Sequence, residues 1–221
     1  MNKIMYCTLD TETVGGASNP TGTYNYGGKI HDRNGNVYAS FSLLVSEHYE
    51  DIKNDDYGKK NFHLYEKYIN EGKVTVVPTE KMAVDIIRQL CRTYNVKYLM
   101  AYNSGFDFVK TSCVQLLDEF EFIDIYLMAL QTITHIKKYA QFCRKNGFIS
   151  RSGKTCSTSA ESMYAYIKNN ADYKEEHTAF EDASIEMEIF LACLRTHKKF
   201  TKNMHQWDCR EGKIFPKWVD K

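Results

Sequence analysis

Apolar positions along the chain follow two periods, and the points where one gives way to the other set the order of elements. Residues 3 to 12, "KIMYCTLDTE", are apolar on both faces until the acids begin, which predicts a central strand covered from both sides. "TYNYGGKIH", "DRNGN" and "VYASFSLLVS" read as a hairpin. Asn34-Gly35 supplies the positive-φ turn, and Val37, Ala39, Phe41, Leu43 and Val45 alternate onto one face. From Glu47 to Gly72 the alternation stops. "EHYEDIKNDDYGKKNFHLYEKYINEG" is polar with scattered aromatics, which predicts an insertion or lid, partly helical around 62 to 70. "PTEKMAVDIIRQLCRTYN" returns to helical spacing, its start marked by Pro78-Thr79 and Glu80. A short strand is expected in "VKYLMAYN", then a helix over "FDFVKTSCVQLLDEF" and further helical spacing from 124 to 145. "SAESMYAYIKN" predicts a short helix, and "TAFEDASIEMEIFLACLRTHKK" a long one whose terminal cations complement its dipole.

The order β-β-β-α-β-α…α predicts an α/β fold, a mixed sheet of about five strands flanked by helices. With 221 residues, a single domain over 1–221 accounts for the chain. It carries the polar insertion at about 47–72 and a short tail at about 200–221, whose Trp207 and Trp218 are expected to dock onto the core. Hydrophobic residues at 43% and charged residues at 26% argue against wholesale disorder. A net charge of +1 argues against a protein that coats long duplex DNA by electrostatics alone, and leaves open an enzyme gripping a strand end. Seven cysteines without a C-x-x-C pair, a start too weakly apolar for a signal peptide, and no transmembrane-length segment predict reduced thiols in the cytoplasm and no membrane partner. Cys193 and His197 lie at helical spacing, but no second pair completes a zinc site; a packed cysteine beside a surface histidine is the plainer reading.

Acidic residues change the picture. In "TLDTETVGG", Asp10 and Glu12 fall on one face of a strand end, which alone describes no more than a solvated edge before a Gly-Gly turn. "NSGFDF" places Asp107 at or near a helix start, where a role as helix N-cap alone stays open. "EEHTAFEDASIE" sets His177 five residues before Asp182, so the two share a site only if His177 lies on the loop and Asp182 on the helix after it. Glu175, Glu176 and Glu181 read as solvated neighbours. Were Asp10, Glu12, Asp107 and Asp182 to converge, each pair about 4 Å apart would repel by roughly 4 kcal/mol at an effective dielectric near 20. Such a cluster must protonate or bind cations, and all-oxygen ligands suit Mg²⁺ or Mn²⁺ rather than zinc. Two ions about 3.5–4 Å apart would serve a phosphoryl displacement. A neutral imidazole beside the attacking water would be its general base.

Between Asp124 and Glu161 no acidic residue occurs. That window holds Lys137, Lys138, Arg144, Lys145, Arg151 and Lys154, interleaved with Tyr139, Phe142 and Phe148. Basic and aromatic residues together suit a single-stranded nucleic-acid groove, and equally a solvated helix face.

"LDTET", "NSGFD" and "HTAFEDA", in this order from residue 10 to 182, resemble the three motifs of DEDDh-type, DnaQ-like 3′→5′ exonucleases of the ribonuclease H-like superfamily. The stretch "NGFISRSGKTCSTSAESMYAYI" looks similar to bacteriophage-encoded members. The resemblance implies that Asp10, Glu12 and Asp182 bind one of two Mg²⁺ (or Mn²⁺) ions, that Asp10 reaches the second, and that Asp107 acts through water. His177 would activate the attacking water. Thr11 and Thr13 would hold the terminal nucleotide, with Asn103 and Phe106 lining its pocket. Thr178 stands where the tyrosine variant of the family has its tyrosine, which favours the histidine class. Asp124 matches an acid that opens the segment after the second motif. The implied activity is removal of nucleotides from 3′ ends of single-stranded DNA. An exoribonuclease on short RNA, or a binding module that recruits a replication protein partner, stays open at this point.

Overall fold

The first apolar run becomes β1 (Met5–Val14), buried without interruption from Met5 to Leu9, at the centre of a mixed sheet. The computed structural model describes residues 3–15, 20–55, 58–150, 153–196, 205–208 and 213–216. β2 (Gly22–Asp32) and β3 (Val37–Val45) form the expected antiparallel hairpin, and β2 pairs antiparallel with β1. On the other side of β1, β5 (Val96–Ala101) runs parallel. Two short edge strands complete the order β4-β3-β2-β1-β5-β6: β4 (Thr75–Val77), parallel to β3, and β6 (Glu121–Asp124), parallel to β5. Six strands replace the expected five, because three- and four-residue edge strands are too short to leave a period of their own.

Alternation along the central strands sorts the core into two layers. Cys7, Leu9, Leu99 and Ala101 face α3 (Glu80–Thr93), whose Val84, Ile87 and Cys91 they meet, together with Phe108 and Leu116. Tyr6, Tyr98 and Met100 face the opposite way, toward α5 (Ile125–Gln131), α6 (Lys137–Asn146), α7 (Ala160–Lys168) and α8 (Ala179–Thr196). By the same alternation Asp10 and Glu12 lie on the Tyr6 face, the one α8 covers.

Three expectations need correction. The single helix over 106–120 is instead α4 (Ser104–Val109), a 3₁₀ turn at Ser112–Leu116, and then β6. Thr111 causes the break: its hydroxyl donates back to the Asp107 carbonyl and accepts from the Cys113 N–H, so it closes one turn and caps the next. The helical stretch from 124 to 145 is likewise two helices with a 3₁₀ turn at Ile133–His135 between them. The polar insertion is more helical than expected, with α1 (Tyr49–Asn54) and α2 (Gly58–Asn70). It is not detached either, since Ile52 and Tyr65 are buried with Tyr24, Leu44 and Val74. In the hairpin turn Gly35 alone takes positive φ, and Asp32 Oδ1 accepts from the Asn34 and Asn36 N–H groups. Of the tail, β7 (His205–Asp208) and β8 (Lys213–Pro216) form a two-stranded antiparallel ribbon; Trp207 lies in β7. Trp218, Arg151 and His197 fall outside the described residues.

α8 packs directly against the backbone of Gly27. A Cβ there would stand 2.0 Å from the Phe180 backbone nitrogen and 2.1 Å from the Ala179 carbonyl carbon. Neither backbone atom can yield without moving the helix. Gly27→Ala is therefore expected to destabilise the fold by about 3 kcal/mol, at the upper end of overpacking costs. Thermal unfolding followed by circular dichroism should show a Tm lowered by roughly 6–12 °C. An unchanged Tm would mean that α8 does not sit there.

Candidate active site

Asp10 and Glu12 lie two apart near the end of β1, cross-strand from Gly27 and Asn25 of β2. That register decides the site. Gly27 admits the first turn of α8, and Asn25 fastens it, its Oδ1 accepting from the Ala179 N–H at 3.0 Å. The same oxygen accepts from the Tyr65 hydroxyl at 3.2 Å, while Asn25 Nδ2 donates to the Leu43 carbonyl at 2.8 Å. With α8 so fixed, one carboxylate oxygen each from Asp10, Glu12 and Asp182 lie within 4.8 Å of one another.

Asp107 joins from α4. Its Oδ1 accepts from the Thr11 hydroxyl at 2.7 Å, across a separation of 96 residues. The helix N-cap position belongs to Asn103, in the left-handed region at φ 66°, so the capping role considered for Asp107 is not the one it has. Asp124 explains α4's placement. Buried at the start of α5, its Oδ1 caps that helix through the Leu127 N–H at 3.3 Å, and its Oδ2 accepts from Ser104 Oγ, the first residue of α4, at 3.2 Å.

His177 lies on the loop before α8 with Asp182 in the helix, as their spacing demands. Its φ is 56°, a left-handed conformation that costs a residue with a Cβ roughly 1–2 kcal/mol. His177 is exposed.

Sequence reasoning missed one carboxylate. Glu186 stands one helical turn beyond Asp182 and is only 3% exposed. The signal was available, since an acid four residues after Asp182 shares its helix face, between the buried Ile185 and Met187. Among the described residues, Glu186 Oε2 and Asp182 Oδ1 are buried oxygens with no hydrogen-bond partner. Buried acceptors are normally satisfied, so two orphaned carboxylate oxygens in an acidic cluster fit a bound cation.

Electrostatics point the same way. Burial, then the charges of Asp107, Glu186, Asp182 and Glu12, pushes the Asp10 carboxyl well above its usual range. Burial followed by Asp182 and Asp107 does the same to Glu12. Glu186 is raised by burial and then by Asp107 and Asp182. Burial raises Asp107 to about 7, against the Thr11 hydrogen bond that lowers it. Asp182 rises to about 8 through burial and then Glu175 and Glu181. Glu175 is itself pushed up to about 7, chiefly by burial. The donor set is hard oxygen throughout, which suits Mg²⁺ or Mn²⁺.

A second group, Glu47, His48 and Glu80, also brings possible ligand atoms within 4.8 Å of one another. Its lone pairs are already engaged. Glu80 accepts from the Thr23 N–H, the Tyr26 hydroxyl and the Ser112 hydroxyl, and Oε1 lies 2.7 Å from His48 Nε2. Glu47 Oε1 accepts from the Glu80 N–H at 2.6 Å. This cluster pins the insertion to α3 and β2.

The remaining expected substrate residues fall in three places. Thr11 and Thr13 are buried at 5% and 4% exposure in β1, and the Thr11 hydroxyl donates to Asp107 Oδ1. Asn103 is exposed and Phe106 half-buried at the first turn of α4, beside Asp107. Lys137, Lys138, Arg144 and Lys145 are all exposed on α6. The aromatics among them serve packing: Tyr139 is buried and donates to the Ser157 carbonyl, and the Phe142 and Phe148 rings stack at 5.7 Å. No helix among the described residues is long and apolar enough to cross a membrane.

No protein-family model matches the sequence, and no curated protein matches it. Solved structures do. E. coli Exonuclease I in complex with a dT13 oligonucleotide is similar at TM-score 0.51 and 14% identity, over 90% of this chain and 44% of that one. An ExoI/SSB-Ct complex (TM-score 0.48, 13% identity) and exonuclease I with the inhibitor BCBP (TM-score 0.47, 14% identity) each cover 90% of this chain and 43% of theirs. This chain thus spans less than half the length of those proteins. The first likeness shows the fold, the ribonuclease H-like mixed sheet flanked by helices.

Raised carboxyl groups bind protons in the folded chain that the unfolded chain releases from about pH 4 upward. Stability without divalent metal is therefore expected to fall as pH rises from about 4 to about 8, through the folded values of Asp107 and Asp182. Melting in EDTA across that range should show it, with Mn²⁺ restoring Tm most at the alkaline end. Glu186→Gln should raise Tm at pH 8 in EDTA; a metal-free Tm that climbs with pH would contradict the repulsive cluster.

Proposed function

We propose that this chain is a divalent-metal-dependent 3′→5′ exonuclease that releases nucleoside 5′-monophosphates from single-stranded DNA. The observation that carries the proposal is the meeting of Asp10, Glu12 and Asp182 within 4.8 Å, with orphaned buried oxygens on Asp182 and Glu186. The order of the three motifs supports it, and so does a fold shared with an exonuclease crystallised on a dT13 oligonucleotide. Single-stranded DNA is the substrate chosen on that last ground.

Asp10, Glu12 and Asp182 would hold one ion, and Asp10 and Asp107 would serve a second. Bound Mg²⁺ or Mn²⁺ would supply positive charge to the attacking and leaving oxygens of the displacement. His177 takes a proton from the attacking water, whose oxygen bonds to the terminal phosphorus as the bond from phosphorus to O3′ of the preceding nucleotide breaks. That O3′ leaves with a proton from solvent. Thr11 keeps Asp107 turned into the site. Because the side chains of Thr11 and Thr13 are buried, their backbone is what meets the terminal nucleotide, with Asn103 and Phe106 lining its pocket. Lys137, Lys138, Arg144 and Lys145 offer charge to the phosphates of the approaching strand.

The test uses 5′-labelled DNA and RNA oligonucleotides with Mg²⁺ or Mn²⁺. A ladder of products shortened from the 3′ end is expected on DNA, absent in EDTA and absent for Asp10→Ala and Asp182→Ala. His177→Ala should slow turnover by about 10²–10⁴-fold while Mn²⁺ still raises Tm. Full activity in Asp182→Ala would remove the proposed centre, and a ladder on RNA alone would reassign the substrate.

A further inference from the structure

The polar insertion that interrupts the hairpin from α3 reaches across to the loop before α8. Asn61 Nδ2 donates to the carbonyl oxygen of His177 itself at 3.1 Å. The Tyr68 hydroxyl donates to Oε2 of Glu176, the residue before it, at 3.1 Å. Tyr65 donates to Asn25 Oδ1, the oxygen that also receives the Ala179 N–H two residues after His177. Positions 61, 65 and 68 share one face of α2. That face therefore holds the loop at Glu176 and at the His177 peptide, and reaches Ala179 through Asn25. Behind it, Ile52 and Tyr65 are buried, the rings of Tyr49 and Phe62 meet edge-on at 5.6 Å, and Asp55 Oδ1 accepts from the Gly15 N–H at the far end of β1.

We infer that the 47–72 insertion is a strap that positions His177, with Asn61 and Tyr68 as its positioning residues. The inference rests on the catalytic reading of His177. A residue in the left-handed region needs its surroundings to keep it there, and a donor on its carbonyl fixes the peptide plane that aims the side chain. Neither Asn61 nor Tyr68 touches the reacting atoms, so both act only through the loop.

Steady-state kinetics on the oligonucleotide substrate test this with Asn61→Ala and Tyr68→Phe, singly and together. Each is expected to lower kcat about 10-fold, and the pair about 100-fold, with KM within about twofold of wild type. The Mn²⁺-induced rise in Tm should not change, since the carboxylates are untouched. In a His177→Ala background the pair should cost less than about twofold more, because there is no imidazole left to aim. Wild-type kcat in the pair would overturn the strap, as would an equal loss with and without His177. A His177→Ala enzyme with undiminished kcat would be a separate result, removing the catalytic reading and this inference with it.

Discussion

Everything in the site depends on how closely α8 can lie against β2. The missing side chain at Gly27 sets the distance, and the amide of Asn25 sets the register by taking the first N–H of the helix. One bond and one absence bring Asp182 from the far end of the sequence to the acids of β1. They also bring Glu186, whose burial would be costly in a protein without a counter-charge. The fold thus concentrates negative charge and, among the described residues, leaves a carboxylate oxygen of Asp182 and one of Glu186 without a hydrogen-bond partner. The force that holds α8 down is hydrophobic, through Ile185, Ile189 and Phe190, and it works against the repulsion at the helix's first turns.

Comparison of the two acidic clusters shows why composition alone does not identify a metal site. Glu47, His48 and Glu80, like Asp10, Glu12 and Asp182, bring possible ligand atoms within 4.8 Å of one another. What separates them is the supply of donors. Around Glu80, hydroxyls and backbone N–H groups fill the lone pairs. Asp182 Oδ1 and Glu186 Oε2 receive none.

The acidic motifs were legible because they rest on local rules. Asp10 and Glu12 share a face through the two-residue period of a strand, and the spacing of His177 and Asp182 forced a loop followed by a helix. What was not legible depends on partners distant in the chain. Thr11 meets Asp107 over 96 residues, and Asn25 meets Ala179 over 154. No periodicity announces such pairs. Thr111 ended a helix that apolar spacing alone would have continued, by turning its hydroxyl onto the backbone. The insertion was read as polar and peripheral because its few apolar residues, Ile52 and Tyr65 among them, are diluted by charge. The basic run on α6 was legible as charge, but its aromatic residues turned out to be committed to one another and to the core.

The bond from Asn25 to Ala179 also sets a timetable. During synthesis the sheet from β1 to β5 is complete long before α8 exists, so a growing chain carries Asp10 and Glu12 on an uncovered face. Joining segments so far apart is an entropically expensive closure, late in any folding route dominated by local contacts. The acidic cluster accordingly assembles in one step, when the last long helix settles, and a ribosome-bound fragment that lacks α8 holds Asp10 and Glu12 without Asp182.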